Sequence, residues 1–175
     1  SSEGGAIRQI SSGNYHHRGN LSWSKDNKAL YFSANRTPNW EYDFRNSEVY
    51  KISLQDGLIT PLTERDGPDY SPIVSPNGKM IAYLGFDDKR EAYQNHRLYL
   101  MDCDGENKRP ISQYLDASIS SIKWDADNKG IYFSFDHQGN GKIGYISLDG
   151  KVSKIADNQG GTTLGRPYSS GMFSI

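Results

Sequence analysis

Three stretches of this chain repeat one pattern at near-constant spacing, and this internal period limits the possible folds more than any other feature. The stretches are SWSKDNKALYFSA (22–34), IVSPNGKMIAYLG (73–85) and KWDADNKGIYFSF (123–135). When they are superimposed, Trp23, Val74 and Trp124 share one position, at spacings of 51 and 50 residues. A period of this length indicates an architecture built from stacked copies of one supersecondary unit.

Each copy divides into four short strands. The first strand ends at the Trp position and is followed by a turn rich in Asp, Asn, Gly and Lys, which suits a tight hairpin. The third strand carries a repeated tyrosine (Tyr50, Tyr99 and Tyr145) and is followed by an Asp-Gly turn, after which the fourth strand returns. Four antiparallel strands about every 40–50 residues are typical of β-propeller blades. An isolated sandwich would not repeat its turn chemistry in register.

We therefore predict an all-β propeller fragment with three complete four-stranded antiparallel blades plus one strand of each flanking blade. The predicted blades are residues 12–63, 64–112 and 113–157, and the flanking strands are residues 4–11 and 171–175. In the flanking segment 4–11, Ile10 stands where Leu62 and Ile111 stand in the later copies. Because propellers usually close with about four to eight blades, we expect a piece of a longer ring. Its open blade edges could pair in a homo-oligomer.

Charge and composition exclude several classes of protein. Twenty Lys and Arg against 21 Asp and Glu give a formal net charge of −1, so no charge bias favours nucleic acid or an anionic membrane. No apolar run approaches the roughly 20 residues that a membrane-spanning helix needs. Cys103 is the single cysteine, which excludes an internal disulfide and a multi-cysteine metal cluster. We expect no cofactor and no bound metal.

The three copies differ most between their second and third strands. This connection is long in the first copy (34–50) and in the second (85–99), and short in the third (135–145). The two long connections are polar and rich in aromatic residues. Long insertions on one rim of a propeller are a common place for binding sites.

The residues of these insertions resemble a known family. The pattern Ala-Asn-Arg (34–36), Asn-Trp-Glu-Tyr-Asp (39–43) and Asn-Ser-Glu-Val-Tyr (46–50) resembles the N-terminal propeller of prolyl oligopeptidase family serine exopeptidases. The segments at 85–105 and 160–174 are similar to the same bacterial subgroup, the dipeptidyl aminopeptidase/acylaminoacyl peptidases. The resemblance covers essentially the whole chain, although Ser-Pro-Asn-Gly-Lys repeats also occur in Tol-type propellers.

This resemblance implies a parent enzyme in which the propeller is stacked on a C-terminal α/β-hydrolase domain. That domain would supply a Ser-Asp-His triad, with the serine in a G-x-S-x-G elbow. The present sequence contains no G-x-S-x-G, and its four histidines fall in predicted loops or insertions. We therefore expect this segment to carry no catalytic residue, to gate access and to help orient peptide substrates. The parent would be a bacterial protein, and the sequence leaves open whether it is cytoplasmic or exported.

The candidate substrate-binding residues lie in the insertions and connections. They are Arg36, Trp40, Glu41, Tyr42, Asp43, Arg45, Arg90, Tyr93 and Arg166. The arginines can bind a carboxylate or a peptide carbonyl through their planar guanidinium. The acidic pair Glu41 and Asp43 can accept a substrate α-ammonium, with cation–π support from the neighbouring aromatic rings. Each residue also has a structural explanation, as a solvated side chain or as an anchor of its insertion.

Two other functions fit the same repeat. A stand-alone Tol-type propeller would act as a protein-interaction module with no hydrolase attached. A sugar-processing propeller would need paired carboxylates facing the channel, whereas the acidic residues of this sequence fall mostly in turns.

Overall fold

The computed structural model describes residues 4–157, 159 and 173–175, and within these it contains twelve β-strands and no helix. Blade 1 contains β1 (His16–Trp23), β2 (Ala29–Asn35), β3 (Glu48–Ser53) and β4 (Ile59–Pro61). Blade 2 contains β5 (Asp69–Val74), β6 (Met80–Gly85), β7 (Arg97–Asp102) and β8 (Arg109–Pro110). Blade 3 contains β9 (Ile119–Trp124), β10 (Gly130–His137), β11 (Asn140–Ser147) and β12 (Val152–Ala156). Each blade is one antiparallel sheet whose strands lie in chain order, which confirms the predicted propeller segment.

The turn between the first two strands has a left-handed residue at the same position in all three blades. Asn27, Gly78 and Asn128 have φ angles of 57°, 75° and 59°. Glycine adopts this region without a steric penalty, and asparagine tolerates it better than most residues. In the first two turns the preceding side chain, Asp26 or Asn77, accepts a hydrogen bond from the backbone N–H two residues later, at 3.1 and 3.0 Å. The repeated turn chemistry therefore directs the chain into the same hairpin each time.

The cores lie between neighbouring blades. Blades 2 and 3 enclose the larger cluster, which contains Ala82, Leu84, Leu98, Leu100, Ile111, Ile119, Ile122, Trp124, Ile131, Phe133 and Ile146. Blades 1 and 2 enclose a second cluster of Tyr31, Val49, Leu62, Ile81, Tyr83 and Met101. Removal of these apolar side chains from water is the main term that holds one blade against the next.

The innermost strands of neighbouring blades are also joined by hydrogen bonds. Trp124 donates its indole N–H to the carbonyl of Ile73 at 2.9 Å, and the N–H of Val74 is donated to the Ser22 hydroxyl at 2.9 Å. Because Trp23 and Trp124 share one repeat position, both are predicted to be buried between blades. This prediction is wrong for Trp23. Its side chain is 55% exposed against 7% for Trp124, because the described chain places no blade before blade 1.

Residues 4–11, which precede blade 1, pack as their alignment with the later repeat copies predicts, but they form no strand. Ile10 contacts the apolar face of blade 1, just as Leu62 and Ile111 close the two interfaces between blades. Residues 4–11 were predicted as an outer strand, yet no strand forms there because a strand requires a hydrogen-bonded neighbour. Of the second predicted flanking strand, 173–175 form no strand and 171–172 lie outside the described residues.

The strand order gives each blade two different ends. The short hairpins after the first and third strands lie at one end, which we call the hairpin face. The connections after the second and fourth strands lie at the other end, which we call the insertion face. Three of the four histidines predicted in loops or insertions lie in strands instead: His16 and His17 begin β1, and His137 ends β10, all at this insertion face. No helix in the described part of the chain is long and apolar enough to cross a membrane.

Candidate functional site

The first insertion, residues 36–47, consists of successive tight turns anchored by one buried side chain. Asn35 stands at the end of β2 and donates its amide N–H to the carbonyl of Asp43 at 2.6 Å. Its amide oxygen accepts hydrogen bonds from the backbone N–H and the hydroxyl of Thr37, at 3.3 and 2.9 Å. Because Asn35 is buried, these bonds fix the insertion against blade 1.

The insertion forms one wall of a cavity of about 410 Å³, which we call the blade 1–2 cavity. The other walls are the start of β1, the end of β2 and the start of β5, which the topology brings together at the insertion face. Trp40, Phe44, Pro68 and Tyr70 give the cavity a mainly apolar lining. Its volume lies within the range of about 300–1,000 Å³ that is typical of small-ligand sites.

Two aromatic walls of the cavity are held by histidines. The Trp40 ring lies 4.6 Å from the His16 ring, between centroids. In blade 2 the Tyr70 hydroxyl is hydrogen-bonded to Nδ1 of His96, and the His96 and Phe86 rings form a T-shaped contact with 5.0 Å between centroids. Burial lowers the pKa of His96, which favours its neutral form. The aromatic lining is therefore positioned by contacts from blades 1 and 2.

Two charged side chains of opposite sign line the same cavity. Glu41 makes no hydrogen bond or ion pair with the described residues. Arg45 is 53% exposed and has one distant acidic partner, Asp88 of the second insertion, at 3.9 Å. Both charges are therefore available to a ligand at little cost in broken contacts.

The cavity wall also contains an unpartnered acceptor. Among the described residues, the side-chain oxygen of Asn46 is the one buried side-chain polar atom that lacks a hydrogen-bond partner. Such a buried acceptor costs about 1–3 kcal/mol when it stays unsatisfied. Asn46 itself is one of the residues that line the cavity.

A second depression of about 380 Å³ continues from the cavity toward blade 2. The two spaces share Phe44, Arg45 and Pro68, and the second is completed by the second insertion, including Tyr93. That insertion is tied down by Gln94, which donates to the carbonyl of Asp87 and accepts from the N–H of Lys89. The insertion face thus carries a continuous groove from blade 1 to blade 2.

A largely buried ionic network lies where blade 1 passes into blade 2, next in sequence to the cavity residues Pro68 and Tyr70. Asp69, at the start of β5, forms a two-point ion pair with Arg65, whose guanidinium also lies 4.0 Å over the ring of Tyr99. Nearby, the carboxylate of Glu48 accepts hydrogen bonds from the Thr63 hydroxyl at 2.6 Å and from the Arg65 N–H at 3.0 Å. Burial raises the pKa of Asp69, and the Arg65 ion pair offsets part of that rise.

Glu48 makes folding stability depend on pH. Burial raises the pKa of Glu48 to about 7, against the lowering effect of its hydrogen bonds. A carboxyl whose pKa is higher in the folded state binds protons more tightly there, so its stabilising contribution is lost as pH rises toward that value. We expect Glu48→Gln to show a smaller loss of unfolding free energy than the wild-type chain between about pH 5 and pH 8. Urea unfolding curves at the two pH values measure the difference.

The matched control for this prediction is Glu106→Gln, a change at an exposed glutamate on the hairpin face. It should follow the wild-type pH dependence. Burial lowers the pKa values of His17 and His96, so these two residues make the chain more stable as pH rises. Both histidines are unchanged in the two variants. If Glu48→Gln and the wild-type chain lose the same unfolding free energy between pH 5 and pH 8, the assignment of this pH dependence to Glu48 is contradicted.

The structure brings some of the predicted site residues together and separates others. Trp40, Glu41 and Arg45 line the blade 1–2 cavity, and Tyr93 lines the adjoining depression with its ring 72% exposed. Tyr42 projects away from the cavity and is 86% exposed. The role of each of these residues in substrate binding stays a prediction.

The other candidates have different surroundings. Arg36 turns toward blade 1, where it donates to Nε2 of His17 at 2.8 Å and lies 4.3 Å over the ring of Tyr15. Asp43 serves the insertion through its backbone carbonyl. Arg90 has a φ of 59° at the tip of the second insertion and lines no part of the cavity. Arg166 lies outside the described residues.

Sequence reasoning missed most residues of the cavity wall, among them His16, Phe44, Asn46 and Tyr70. A topological signal for two of them was present. His16 and Tyr70 stand at the starts of the first strands of consecutive blades, and these starts share a face with the insertion. No comparable signal marks Phe44 or Asn46, because the turns of the insertion have no period.

The described residues hold no group of three His, Cys, Asp or Glu side chains that could bind a metal ion. The groove offers aromatic surfaces, the carboxylates of Glu41 and Glu91, the guanidinium of Arg45 and side-chain amides. Such a set of side chains can contact apolar, cationic and anionic groups of a ligand.

Comparison with solved structures defines the class of protein. The chain superimposes on TolB from Acinetobacter baumannii with a TM-score of 0.64 at 20% identity, covering 85% of this chain and 34% of that one. It superimposes on a puromycin-hydrolysing peptidase from Mycobacterium tuberculosis with a TM-score of 0.63 at 17% identity, covering 83% and 24%. At this level of identity the likeness shows the fold, which is a segment of a β-propeller.

Sequence comparison identifies the family. Residues 1–88 match the family described as "Dipeptidyl peptidase IV (DPP IV) N-terminal region", and the chain belongs to this family. It is 28% identical over 144 residues to dipeptidyl-peptidase 5 of Porphyromonas gingivalis, covering 79% of this chain and 21% of that protein. The chain thus spans about a fifth of the length of the curated relatives it matches. The predicted resemblance to the N-terminal propeller of a prolyl oligopeptidase family peptidase is confirmed, while its acylaminoacyl component stays a prediction.

Proposed function

We propose that this chain is the non-catalytic propeller segment of a serine exopeptidase that releases dipeptides from peptide substrates. Hydrolysis would be performed by a C-terminal α/β-hydrolase domain of the same parent protein. The insertion face would gate access and orient the peptide. The family membership supports this class of function, because relatives that match most of this chain are dipeptidyl-peptidases.

The blade 1–2 cavity is the observation that supports a role in orienting the peptide substrate. A peptide amino terminus is an ammonium group, and Glu41 offers an unpaired carboxylate at the wall of a mainly apolar space. The Trp40 ring beside it can add a cation–π contact of about 0.5–2 kcal/mol. The groove beyond Arg45 provides room for the residues that follow. Recognition of the free amino terminus would favour exopeptidase over endopeptidase cleavage.

The test compares steady-state kinetics of the complete parent protein on a dipeptidyl p-nitroanilide. We expect Glu41→Gln to raise KM about tenfold or more with kcat nearly retained, because a hydrogen bond to a charged group is lost in the bound states. Glu106→Gln on the hairpin face is the matched control and should leave both constants unchanged. The 175-residue chain alone should release no p-nitroaniline.

Two outcomes would overturn the proposal. Hydrolysis by the 175-residue chain alone would show that it carries its own catalytic residues. A parent protein that ends after its blades and releases no dipeptide would instead indicate a propeller that works as an interaction module.

A further inference from the structure

The same backbone hydrogen bond joins neighbouring blades at both junctions that the structure describes. At the junction of blades 1 and 2, the N–H of Asp69 is donated to the carbonyl of Ser47 at 2.6 Å. At the junction of blades 2 and 3, the N–H of Ile119 is donated to the carbonyl of His96 at 3.0 Å. The donors begin the innermost strands β5 and β9, and the acceptors directly precede β3 and β7. The repeat therefore supplies two copies of one link between blades.

The side chains around the two links differ in charge. At the first junction the donor itself is Asp69 and the residue after the acceptor is Glu48, and these two acidic residues are 1% and 6% exposed. At the second junction the residues at the same positions are Ile119 and Arg97, and Arg97 donates to two backbone carbonyls of the following connection. Of the two junctions, the first one therefore buries a pair of carboxyl groups beside its link, and the second does not.

These two carboxyl groups share one buried cation. Arg65 forms the ion pair with Asp69, while its backbone N–H and the Thr63 hydroxyl are both donated to Glu48. Two carboxylates and one guanidinium leave an excess of one negative charge when both acids are ionised. A buried charge without a partner is costly. The junction can avoid this cost either by keeping a proton on one carboxyl or by opening to water.

Glu48 is the second of the two carboxyls to ionise as pH rises. Burial raises the pKa of Glu48 to about 7 and that of Asp69 to about 6, where the Arg65 ion pair offsets part of the rise. Burial also raises the pKa values of the adjacent phenols of Tyr50 and Tyr83, so both stay neutral between pH 5 and pH 8. The other ionisable side chains nearby, from β7, β8 and the connections, are Tyr99, Arg36, Glu64, Asp87, Lys108 and Arg109.

We propose that the junction of blades 1 and 2 is a pH-sensitive switch, which is closed while Glu48 carries a proton and opens locally when Glu48 and Asp69 are both ionised. Opening breaks the link from Asp69 to Ser47 at the insertion face. A depression of about 320 Å³ already reaches the ion pair of Arg65 and Asp69, so water lies next to the buried groups. Ser47 also lines the blade 1–2 cavity, and opening therefore changes the shape of that cavity. The switch belongs to the propeller itself and does not depend on the proposed function.

The experiment follows hydrogen exchange of the wild-type chain by NMR and compares the backbone amides of Asp69 and Ile119. The intrinsic exchange rate is divided out at each pH, so the remaining protection reports the opening of each link. The protection of Asp69 should fall about tenfold or more between pH 5 and pH 8, because the open junction binds fewer protons than the closed one. The protection of Ile119 should not fall, because Arg97 replaces the acid there and burial lowers the pKa of His96, which favours the closed state as pH rises.

Variants assign the change to Glu48. Glu48→Gln keeps a hydrogen-bonding side chain without the charge, so the protection of Asp69 should change less than about threefold over the same range. Glu106→Gln, at an exposed position on the hairpin face, is the matched control and should keep the full wild-type fall. The side-chain carboxyl ¹³C resonance that disappears in Glu48→Gln should titrate close to neutral pH in the wild-type chain.

Three outcomes would overturn the switch. If the protection of Asp69 and that of Ile119 fall by the same factor, pH acts on global unfolding and the junction has no opening of its own. If Glu48→Gln retains the wild-type fall, other groups cause it. If the Glu48 carboxyl titrates at the acidic pH that is usual for glutamate, the proton that closes the junction is absent. Each outcome leaves the proposed function untouched, because hydrolysis by the parent protein is measured separately.

Discussion

Replacement of Asp69 by alanine is expected to lower the free energy of unfolding by about 3–5 kcal/mol, because it leaves a buried guanidinium without its main partner. The side chains of Arg65 and Asp69 are 15% and 1% exposed, and the pair sits where blade 1 passes into blade 2. The remaining acidic partner of Arg65, Asp87, is 74% exposed and 3.4 Å away, so it can compensate only in part. Urea unfolding of the two proteins measures the loss.

A double variant shows whether the loss comes from the unpaired charge. Arg65→Met combined with Asp69→Ala removes both charges and should be more stable than Asp69→Ala alone. Asp127→Ala is the surface control, because Asp127 pairs with Lys129 at 3.2 Å while both are largely exposed. That control should cost less than about 1 kcal/mol. If the losses of unfolding free energy in Arg65→Met and in Asp69→Ala add up to the loss in the double variant, the two side chains are not coupled.

Phe133→Ala is expected to destabilise the chain by a similar amount, about 3–5 kcal/mol, through the cavity that it leaves. Phe133 is fully buried between blades 2 and 3, and its ring lies directly over Gly144 of β11. The lost contacts therefore belong both to the sheet of blade 3 and to its interface with blade 2. Tyr132→Ala, one residue earlier and half-buried on the other face of β10, is the matched control and should cost less.

The contact with Gly144 gives a second measurement of the same packing. A β-carbon at Gly144 would lie 2.5 Å from the Phe133 ring, so Gly144→Ala should cost about 1–3 kcal/mol through overpacking. The smaller side chain in Phe133→Leu should then relieve part of that cost in the double variant. If Gly144→Ala were as destabilising in the Phe133→Leu background as in the wild-type chain, the cause would lie elsewhere.

The sheets could be predicted because the residues that determine their strands and turns repeat at regular spacing along the sequence. Trp23, Val74 and Trp124 end the innermost strands as the alignment requires. The repeated turn residues adopt the left-handed backbone that their types favour. Burial followed the repeat less closely, since Trp23 occupies the same position as Trp124 but has no neighbouring blade in the described part of the chain. A repeat therefore predicts local structure more reliably than it predicts the surroundings of each copy.

The candidate site was predictable only in outline. Sequence pointed to the first insertion, but it gave Arg36 and Arg45 equal standing as candidate cations. The structure separates them because Arg36 directly follows β2 and contacts His17 of the paired strand β1, whereas Arg45 follows several turns and faces the cavity. These positions depend on the anchoring bonds of Asn35, which link residues that no periodic pattern relates.

The position of Leu62 and Ile111 affects how such a chain can be divided. Each follows the last strand of one blade but belongs to the apolar cluster that this blade shares with the next. A blade excised directly after β4 or β8 would lose the apolar residue that closes its interface with the next blade. Transplanting or duplicating a blade therefore calls for a splice point downstream of this sealing residue, in the short link before β5 or β9.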